Sequence, residues 1–257
     1  MLRATLCALL VVVATPLRAQ EQKQTEVALA LVLAVDASGS VSDDRFELQK
    51  QGCAAAFRNR QVLKSIRSLT TQSIAVTMMQ CTGPELHVQT VEWRVAKDEA
   101  SVNALADAIE ASKRQLFGGG TSISGAIDYS RVLLAAGPFF GIRRVIDISG
   151  DGANNRGRAA TLARDEAVRD GISINGLPIL SLEPNLDRYY YNNVIGGPGA
   201  FMVPARNYDT FADAIIKKLI TEIAGAAPIM QRPSSIAPSD AELVWCRTSS
   251  LRSPRQC

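Results

Sequence analysis

The chain of 257 residues has a single histidine, His87. A Ser-His-Asp arrangement would have to use this residue, which lies beyond a turn and far in sequence from any convincing nucleophile. The chain also has no Gly-x-Ser-x-Gly elbow and no Gly-x-x-x-x-Gly-Lys-Ser/Thr loop, which argues against a serine hydrolase and against nucleotide hydrolysis of the P-loop type. The glycine-rich stretch at 196–199 lacks the dinucleotide-binding pattern. These absences together predict a protein that is not an enzyme.

Strong charge of either sign is also lacking. The formal net charge is +3, and the densest basic clusters, Arg58-Asn59-Arg60 and Arg143-Arg144, are short. Such a scattered distribution predicts no nucleic-acid partner, because nucleic-acid binding needs a concentrated basic surface. Beyond the N-terminus, no stretch is long and apolar enough to span a membrane.

Residues 1–19 have the three-part pattern of a secretory signal peptide. A short basic start at Met1-Leu2-Arg3 precedes an apolar run from Leu6 to Ala14, and Ala19 stands before a polar stretch. The apolar run is too short to cross a bilayer. The pattern predicts a periplasmic or secreted bacterial protein, and the competing interpretation is an uncleaved N-terminal anchor.

Four cysteines remain once Cys7 is removed with the signal peptide, and their spacing matches no zinc motif. An even number of cysteines in an oxidising compartment allows two disulfides, for which three pairings exist. We favour Cys53–Cys81, which would join a helix to the next strand, and Cys246–Cys257, which would close a loop in the tail. The alternative is that the thiols are free.

Apolar runs and helical spacing alternate between residues 25 and 225. The strands are predicted at 27–35, 74–80, 88–95, 145–149, 172–180 and 200–203. The helices are predicted at 43–60, 98–113, 122–136, 159–170 and 208–224. This alternation predicts one α/β domain with a doubly wound, mainly parallel sheet and helices on both faces.

Three segments depart from this alternation. The strand at 88–95 follows its predecessor after a turn at Gly83-Pro84, which predicts an antiparallel edge strand. Residues 183–199 are predicted to form a long loop. Residues 226–257 lose all periodicity and are predicted to form an irregular tail.

Three segments rich in oxygen-bearing side chains lie in predicted loops. We expect them at the carboxyl ends of the strands, where open α/β sheets bind their ligands. They are 36–40, directly after the first strand; 118–122, before a helix; and 149–152, after the strand at 145–149. The candidate ligands in these segments are Asp36, Ser38, Ser40, Thr121 and Asp151. Hydroxyl and carboxylate oxygens suit Mg²⁺, Mn²⁺ or Ca²⁺ and do not suit zinc or copper. With two carboxylates, the site is under-neutralised and would accept an acidic oxygen from outside.

These segments resemble the metal-ion-dependent adhesion site of von Willebrand factor A domains. Asp36-Ala37-Ser38-Gly39-Ser40 matches the first motif of that site, Gly119-Gly120-Thr121 the second, and Ser149-Gly150-Asp151-Gly152 is similar to the third. The resemblance covers residues 27–225 and implies a Rossmann-like fold. The stretches 146–152, 174–179 and 194–201 are especially similar to a bacterial exported branch of unknown function.

The resemblance also implies roles for the ligands. Ser38, Ser40 and Thr121 would touch the metal, Asp36 and Asp151 would often act through water, and a partner's Asp or Glu carboxylate would complete the shell. The chain is therefore expected to be an exported adhesion or scaffolding module that captures a partner protein through a divalent cation.

Other interpretations stay open at this point. The serines and Thr121 would also serve as helix caps, and Asp151 as a turn residue. A metal-assisted hydrolase using Asp36 or Asp151 as its base, and a scaffold with a non-functional site, are the alternative functions. Asp147, inside a predicted strand, is interpreted as a hydrogen-bonded structural acid, and Tyr189-Tyr190-Tyr191 as a packed or contact-forming stretch of the loop.

Overall fold

Five strands form the centre of the protein. The structure is a computed structural model that describes residues 24–225. The strands are β1 (Thr25–Asp36), β2 (Ile74–Cys81), β3 (His87–Ala96), β4 (Phe139–Gly150) and β5 (Ile172–Pro178). The helices are α1 (Asp43–Arg58), α2 (Arg60–Arg67), α3 (Glu99–Ala111), α4 (Ile123–Ala136), α5 (Ala160–Arg169), α6 (Leu186–Asn193) and α7 (Phe211–Ala224). A 3₁₀ turn, Tyr208–Thr210, precedes α7.

The strand order is β3-β2-β1-β4-β5. All neighbours run parallel except β2 and β3, which pair antiparallel. The predicted mainly parallel sheet with an antiparallel edge strand is thus confirmed. In the register, Asp36 lies opposite Cys81 of β2, and Val35 lies opposite Ser149 of β4. The carboxyl ends of the three central strands therefore meet at one edge of the sheet.

Helices cover both faces of the sheet, as predicted. Along β1, Leu29, Leu31 and Leu33 belong to a core shared with α1, α2, α3 and α7, whereas Ala30 and Val32 belong to a core shared with α4, α5 and α6. This strict alternation follows from the two-residue period of a strand. Because β1 is buried on both faces, its sequence is a continuous apolar run instead of an alternating one.

Two element predictions were wrong. The predicted loop at 183–199 contains α6, which buries Leu186 and Tyr190, four residues apart on one helical face. Residues 200–203 form no strand and make an isolated bridge between Met202 and Gly176. The Asn175 side chain accepts the backbone N–H of Phe201 at 2.9 Å, so this N–H is not available for a strand ladder.

Several element boundaries also differ from the prediction, among them those of α1 and β4. The helix predicted at 43–60 ends at Arg58, and Asn59 caps a second helix by accepting the N–H of Gln61 at 2.8 Å. Strand β4 begins at Phe139, six residues before the predicted start, because its first residues pair with the beginning of β1.

The predicted Cys53–Cys81 disulfide is wrong. Both thiols are free and buried. Cys53 of α1 lies in the core on one face of the sheet, whereas Cys81 of β2 lies in the core on the other face. The sheet therefore separates the two thiols. A disulfide needs the two Cα atoms within about 7 Å. The Cys246–Cys257 pairing, the signal peptide at 1–19 and the tail at 226–257 lie outside the described residues.

A helix that spans a membrane needs about 20 mainly apolar residues. Among residues 24–225, no helix is both long and apolar enough to cross a membrane.

Candidate metal centre

The three predicted segments meet at the carboxyl edge of the sheet. The parallel register of β1 and β4 places Asp36 and Asp151 at the ends of neighbouring strands. The backbone N–H of Gly39 donates to the carbonyl of Gly119 at 3.3 Å, which joins the first segment to the second. The backbone N–H of Asn155 donates to the carbonyl of Thr121 at 2.9 Å, which joins the loop that follows the third segment to the second segment.

Hydrogen bonds link four of the five predicted ligands. The N–H of Ser38 donates to Asp36 Oδ1 at 2.8 Å, and the hydroxyls of Ser38 and Ser40 lie 3.2 Å apart. The Ser40 hydroxyl in turn donates to Asp151 Oδ1 at 2.5 Å, across 111 residues of sequence. Ser40 is exposed and the other three are buried. The cluster therefore opens to solvent on the Ser40 side.

Thr121 belongs to the same cluster. It lines a small cavity together with Asp36, Ser149 and Gly150. A Cβ placed on Gly152, next to Asp151, would lie 3.3 Å from Thr121 Oγ1. The structure thus brings all five predicted residues to one place.

The helix-cap interpretation of these hydroxyls is wrong. The N-cap of α1 is Ser42, whose hydroxyl accepts the N–H of Arg45 at 3.3 Å, and the N-cap of α4 is Ser122, whose hydroxyl accepts the N–H of Gly125 at 3.1 Å. Ser38, Ser40 and Thr121 stand outside both caps. The capping role that sequence allowed for them is therefore performed by neighbouring serines.

One oxygen of the cluster has no partner. Asp36 Oδ2 is buried and accepts no hydrogen bond from residues 24–225. Burial, with a smaller contribution from the charge of Asp151, raises the pKa of Asp36 from 3.8 to about 6. A buried charge without a partner is costly, and a cation is the group that relieves that cost. The donor set present therefore fits a cation.

The residue types define which cation fits. Within residues 24–225, no group of three or more His, Cys, Asp or Glu side chains is placed to hold a metal. Two carboxylates and three hydroxyls are hard oxygen donors, which suit Mg²⁺, Mn²⁺ or Ca²⁺. Because these are the same residue types that the sequence offered, the identity of the ion stays a prediction.

Glycines allow the segments to approach closely. A Cβ on Gly150 would lie 2.9 Å from Asp36 Oδ2, and a Cβ on Gly39 would lie 3.2 Å from the Gly119 carbonyl. Any larger residue at Gly150 would have to displace the carboxylate. Gly119 has a positive φ of 82°, a conformation that glycine adopts without strain.

Sequence reasoning missed two residues that contact Asp151. The Tyr208 hydroxyl donates to Asp151 Oδ2 at 2.8 Å. Arg45 Nη1 donates to the carbonyl of Ser40 at 2.8 Å and lies 3.8 Å from Asp151 Oδ2. Tyr208 precedes α7, 57 residues after Asp151, and no local pattern predicts such a contact.

Two further residues, also missed, hold the first segment in place. Arg114 Nη2 donates to the carbonyl of Ala37 at 3.0 Å, and its Nη1 donates to Asp43 at 2.9 Å. The buried Gln49 donates to the carbonyl of Asp36 and accepts from the Ser149 hydroxyl, both at 3.3 Å. Gln49 thereby fixes the ends of β1 and β4 to α1.

Asp147 lies outside the cluster. It forms a buried ion pair with Lys218 of α7 at 2.5 Å, but neither of its oxygens accepts a hydrogen bond from residues 24–225. The structural interpretation of this acid is supported, and the predicted hydrogen bond is not found. Tyr190, on the buried face of α6, is almost completely inaccessible to solvent. This supports the packing interpretation of that tyrosine.

Solved structures with similar folds are von Willebrand factor A domains. Proximal thread matrix protein 1 from the mussel byssus, in a structure with a zinc-occupied MIDAS motif, aligns with a TM-score of 0.56 at 13% identity, over 78% of this chain and 46% of that chain. The vWF domain of the type V pili tip protein Mfa5 from Porphyromonas gingivalis aligns with a TM-score of 0.53 at 11% identity, over 80% and 98%.

A third similar structure is the von Willebrand factor type A protein from Catenulispora acidiphila, with a TM-score of 0.50 at 14% identity over 76% of this chain and 42% of that one. The chain thus spans less than half of the mussel and Catenulispora chains. At these identities the comparison establishes the fold, which is that of a von Willebrand factor A domain.

The family follows from the sequence. The chain belongs to the family described as "Protein of unknown function (DUF1194)", whose model matches residues 26–227. No functionally curated protein matches the chain.

Proposed function

We propose that this protein is an exported binding module that captures a carboxylate of a partner protein through one divalent cation, preferably Mg²⁺. The ligands would be Asp36, Ser38, Ser40, Thr121 and Asp151. The observation that carries the proposal is the buried Oδ2 atom of Asp36, which accepts no hydrogen bond from residues 24–225, on a residue that clusters with Ser38, Ser40 and Thr121. Mn²⁺ and Ca²⁺ prefer the same oxygen donors and are the alternative ions.

The two carboxylates have different roles in this proposal. Asp36 keeps one oxygen free for the ion. Asp151 uses both oxygens within the protein, one toward Ser40 and one toward Tyr208, and therefore orients the Ser40 hydroxyl and acts on the ion through water. When bound, the ion supplies a positive charge at the surface to which an external carboxylate binds.

The surface around the site supports a protein partner. Three exposed apolar side chains lie on loops at the carboxyl edge of the sheet: Leu86, Phe117 and Leu182. Phe117 directly precedes the glycines that contact Gly39, and Leu182 directly precedes Glu183, which accepts the N–H of Ala153 at 3.2 Å. Apolar side chains around a polar centre are typical of protein-binding surfaces.

The proposed function is binding without catalytic turnover. The ring of His87 stacks on Tyr129, with centroids 4.1 Å apart, and makes no hydrogen bond to the five ligands. Export to the periplasm or the cell exterior rests on the signal-peptide pattern at 1–19, which lies outside the described residues.

Calorimetric titration of Mg²⁺ and Mn²⁺ into the chelator-treated mature protein tests the cation site. We expect saturable binding at one site, which is lost in Ser38→Ala/Asp151→Ala. The matched control, Ser65→Ala/Asp107→Ala, changes the same residue types on the outer helices α2 and α3 and should bind like the wild type. Absence of binding in the folded wild type, or binding retained in the Ser38/Asp151 variant, would refute the site.

The partner is tested separately, by retention of proteins from the exported fraction on the immobilised domain. Retention should require the divalent ion and should disappear in the Ser38→Ala/Asp151→Ala variant. If chelation leaves the retained proteins unchanged, the bridging role is wrong even where the ion binds.

A further inference from the structure

Arg45 is a partly exposed charged residue beside the cluster of the five proposed ligands. Its side chain is 34% exposed, whereas that of Asp151, 3.8 Å away, is fully buried. The guanidinium carbon lies 5.4 Å from the centre of the Tyr208 ring. The hydrogen bond from Nη1 to the Ser40 carbonyl fixes the guanidinium at the rim of the cluster, next to the exposed Ser40 hydroxyl.

The guanidinium retains unused donors. It has five N–H groups in a planar fork that matches a carboxylate. Among residues 24–225, Nη1 is the one nitrogen of Arg45 that donates a hydrogen bond. The remaining donors are therefore free to bind a group that approaches the cluster from solvent.

Arg114, a second arginine at this edge, is different. Its Nε, Nη1 and Nη2 atoms all donate within the protein, to Leu116, Asp43 and Ala37 respectively. Its side chain is 10% exposed, and its charge is paired with Asp43. Arg114 is thus a structural residue, and Arg45 alone of the two has both exposure and free donors.

The charge balance of the candidate site indicates a role for Arg45. A cation-binding site gains nothing from an adjacent guanidinium, because the two positive charges repel each other. The two carboxylates of the cluster, Arg45 and a divalent cation together carry one positive charge in excess. A single carboxylate from outside neutralises this excess and can accept hydrogen bonds from the guanidinium fork.

We propose that Arg45 is a specificity-determining residue that binds the incoming carboxylate together with the cation. This inference rests on the proposed function and deepens it. By repelling the ion while no anion is present, and by binding the anion when it arrives, Arg45 makes tight cation binding depend on a carboxylate. Cation and partner are therefore bound as a linked pair.

The test is calorimetric titration of Mg²⁺ into the mature protein in the presence of one of two probes, acetyl-Gly-Asp-Gly-amide or its neutral counterpart acetyl-Gly-Asn-Gly-amide. The variants are Arg45→Gln, Arg45→Lys and Arg60→Gln. Arg60→Gln removes the same charge at the start of α2, which the full length of α1 separates from the site. Thermal unfolding of each variant verifies that it is folded.

For the wild type and Arg60→Gln, we expect tighter Mg²⁺ binding with the aspartate peptide than with the asparagine peptide. In Arg45→Gln, Mg²⁺ should bind roughly tenfold more tightly with the neutral peptide, because a repelling unit charge is gone, and the gain from the aspartate peptide should shrink by a similar factor. Arg45→Lys keeps the charge without the fork, so its Mg²⁺ affinity with the neutral peptide should match the wild type while the gain is only partly retained.

Three results would overturn the inference. One is an Arg45→Gln variant that matches the wild type in both conditions, and another is weaker Mg²⁺ binding in this variant, which would make Arg45 a structural residue like Arg114. The third is a wild type that binds Mg²⁺ without any gain from the aspartate peptide, in which case the cation site stands and the role of Arg45 does not. A wild type that binds no Mg²⁺ refutes the proposed function and this inference together.

Discussion

At the scale of single residues, Gly150 is as important for the candidate site as the ligands themselves. It ends β4 next to Asp36, where no side chain has room. In Gly150→Ala the new methyl group would displace the Asp36 carboxylate, so we expect Mg²⁺ affinity to fall by about tenfold or more, equivalent to about 1.4 kcal/mol. Calorimetric titration measures this loss.

The control for this prediction is Gly83→Ala. A Cβ on Gly83 would lie 3.4 Å from the flexible end of the Leu86 side chain, which is an ordinary contact. This variant should therefore bind Mg²⁺ like the wild type. Equal affinities in the two alanine variants would show that the close approach at Gly150 has no role in the site.

The convergence of the five candidate residues was predictable from sequence, because each belongs to a short motif that follows a buried strand or precedes a helix. The residues that contact these candidates could not be predicted from sequence. Tyr208 and Arg45 reach Asp151 through the packing of α7 and α1 against the sheet, and tertiary packing has no local signature. The pairing of Cys53 with Cys81 failed for the same reason, since sequence does not reveal which face of the sheet each cysteine occupies.

At the scale of elements, a buried charge cluster joins α7 to the sheet. Lys218 lies between Asp147 of β4 and Glu222 of its own helix, at 2.5 and 3.0 Å, and Asn175 of β5 donates to Glu222 at 3.1 Å. Two carboxylates share one ammonium group. Burial and the charge of Glu222 raise the pKa of Asp147 well above 3.8, although Lys218 opposes this shift.

Removing Lys218 should cost much more stability than removing the charge of Asp147. Lys218→Met leaves two buried carboxylates without a cation and should reduce the free energy of unfolding by about 3–5 kcal/mol. Asp147→Asn leaves the Lys218–Glu222 pair intact and balanced, so its cost at neutral pH should be much smaller. Urea denaturation of both variants measures the difference, and equal losses would contradict the charge argument.

The same cluster predicts a pH dependence. Because the pKa of Asp147 is raised in the folded state, the folded protein holds this proton more tightly than the unfolded chain does. The resulting stability is complete below pH 3.8 and is lost as the pH rises toward the raised pKa. Stability measured over this range should therefore fall less steeply with pH in Asp147→Asn than in the wild type, and identical slopes would count against the raised pKa.

The helix and strand predictions were correct where the hydrophobic pattern was long and wrong where it was short. Strand β1 and the hairpin of β2 and β3 were recognisable from extended runs. Helix α6 was missed because it has only eight residues and a single aliphatic side chain, Leu186. The strand predicted at 200–203 was wrong because a side-chain amide takes the N–H of Phe201.

At the scale of the whole molecule, the two free thiols report on unfolding. Burial raises the pKa of the Cys53 thiol to about 12 and that of Cys81 well above 9.0. Since the thiolate is the reactive form, both should be inert toward a thiol reagent in the folded protein. In Cys246→Ser/Cys257→Ser mature protein, we expect reaction to begin at the same denaturant concentration as the loss of circular dichroism.

Because the two thiols lie in the cores on opposite faces of the sheet, both should become reactive in the same transition. Reaction of one thiol well before the other would show that the two faces unfold separately. A denatured sample without reactive thiols would instead show that a disulfide forms after all.

The separation of the five ligands along the chain has a consequence for how the protein reaches its working state. Ser40 and Asp151 are 111 residues apart, and they meet when β1 and β4 lie side by side. Under the proposed export, the early and late segments would emerge one after the other, so a molecule that has not yet released Asp151 could not assemble the candidate centre. Under the proposed function, cation uptake would therefore follow export and folding of the domain, and partner capture would follow cation uptake.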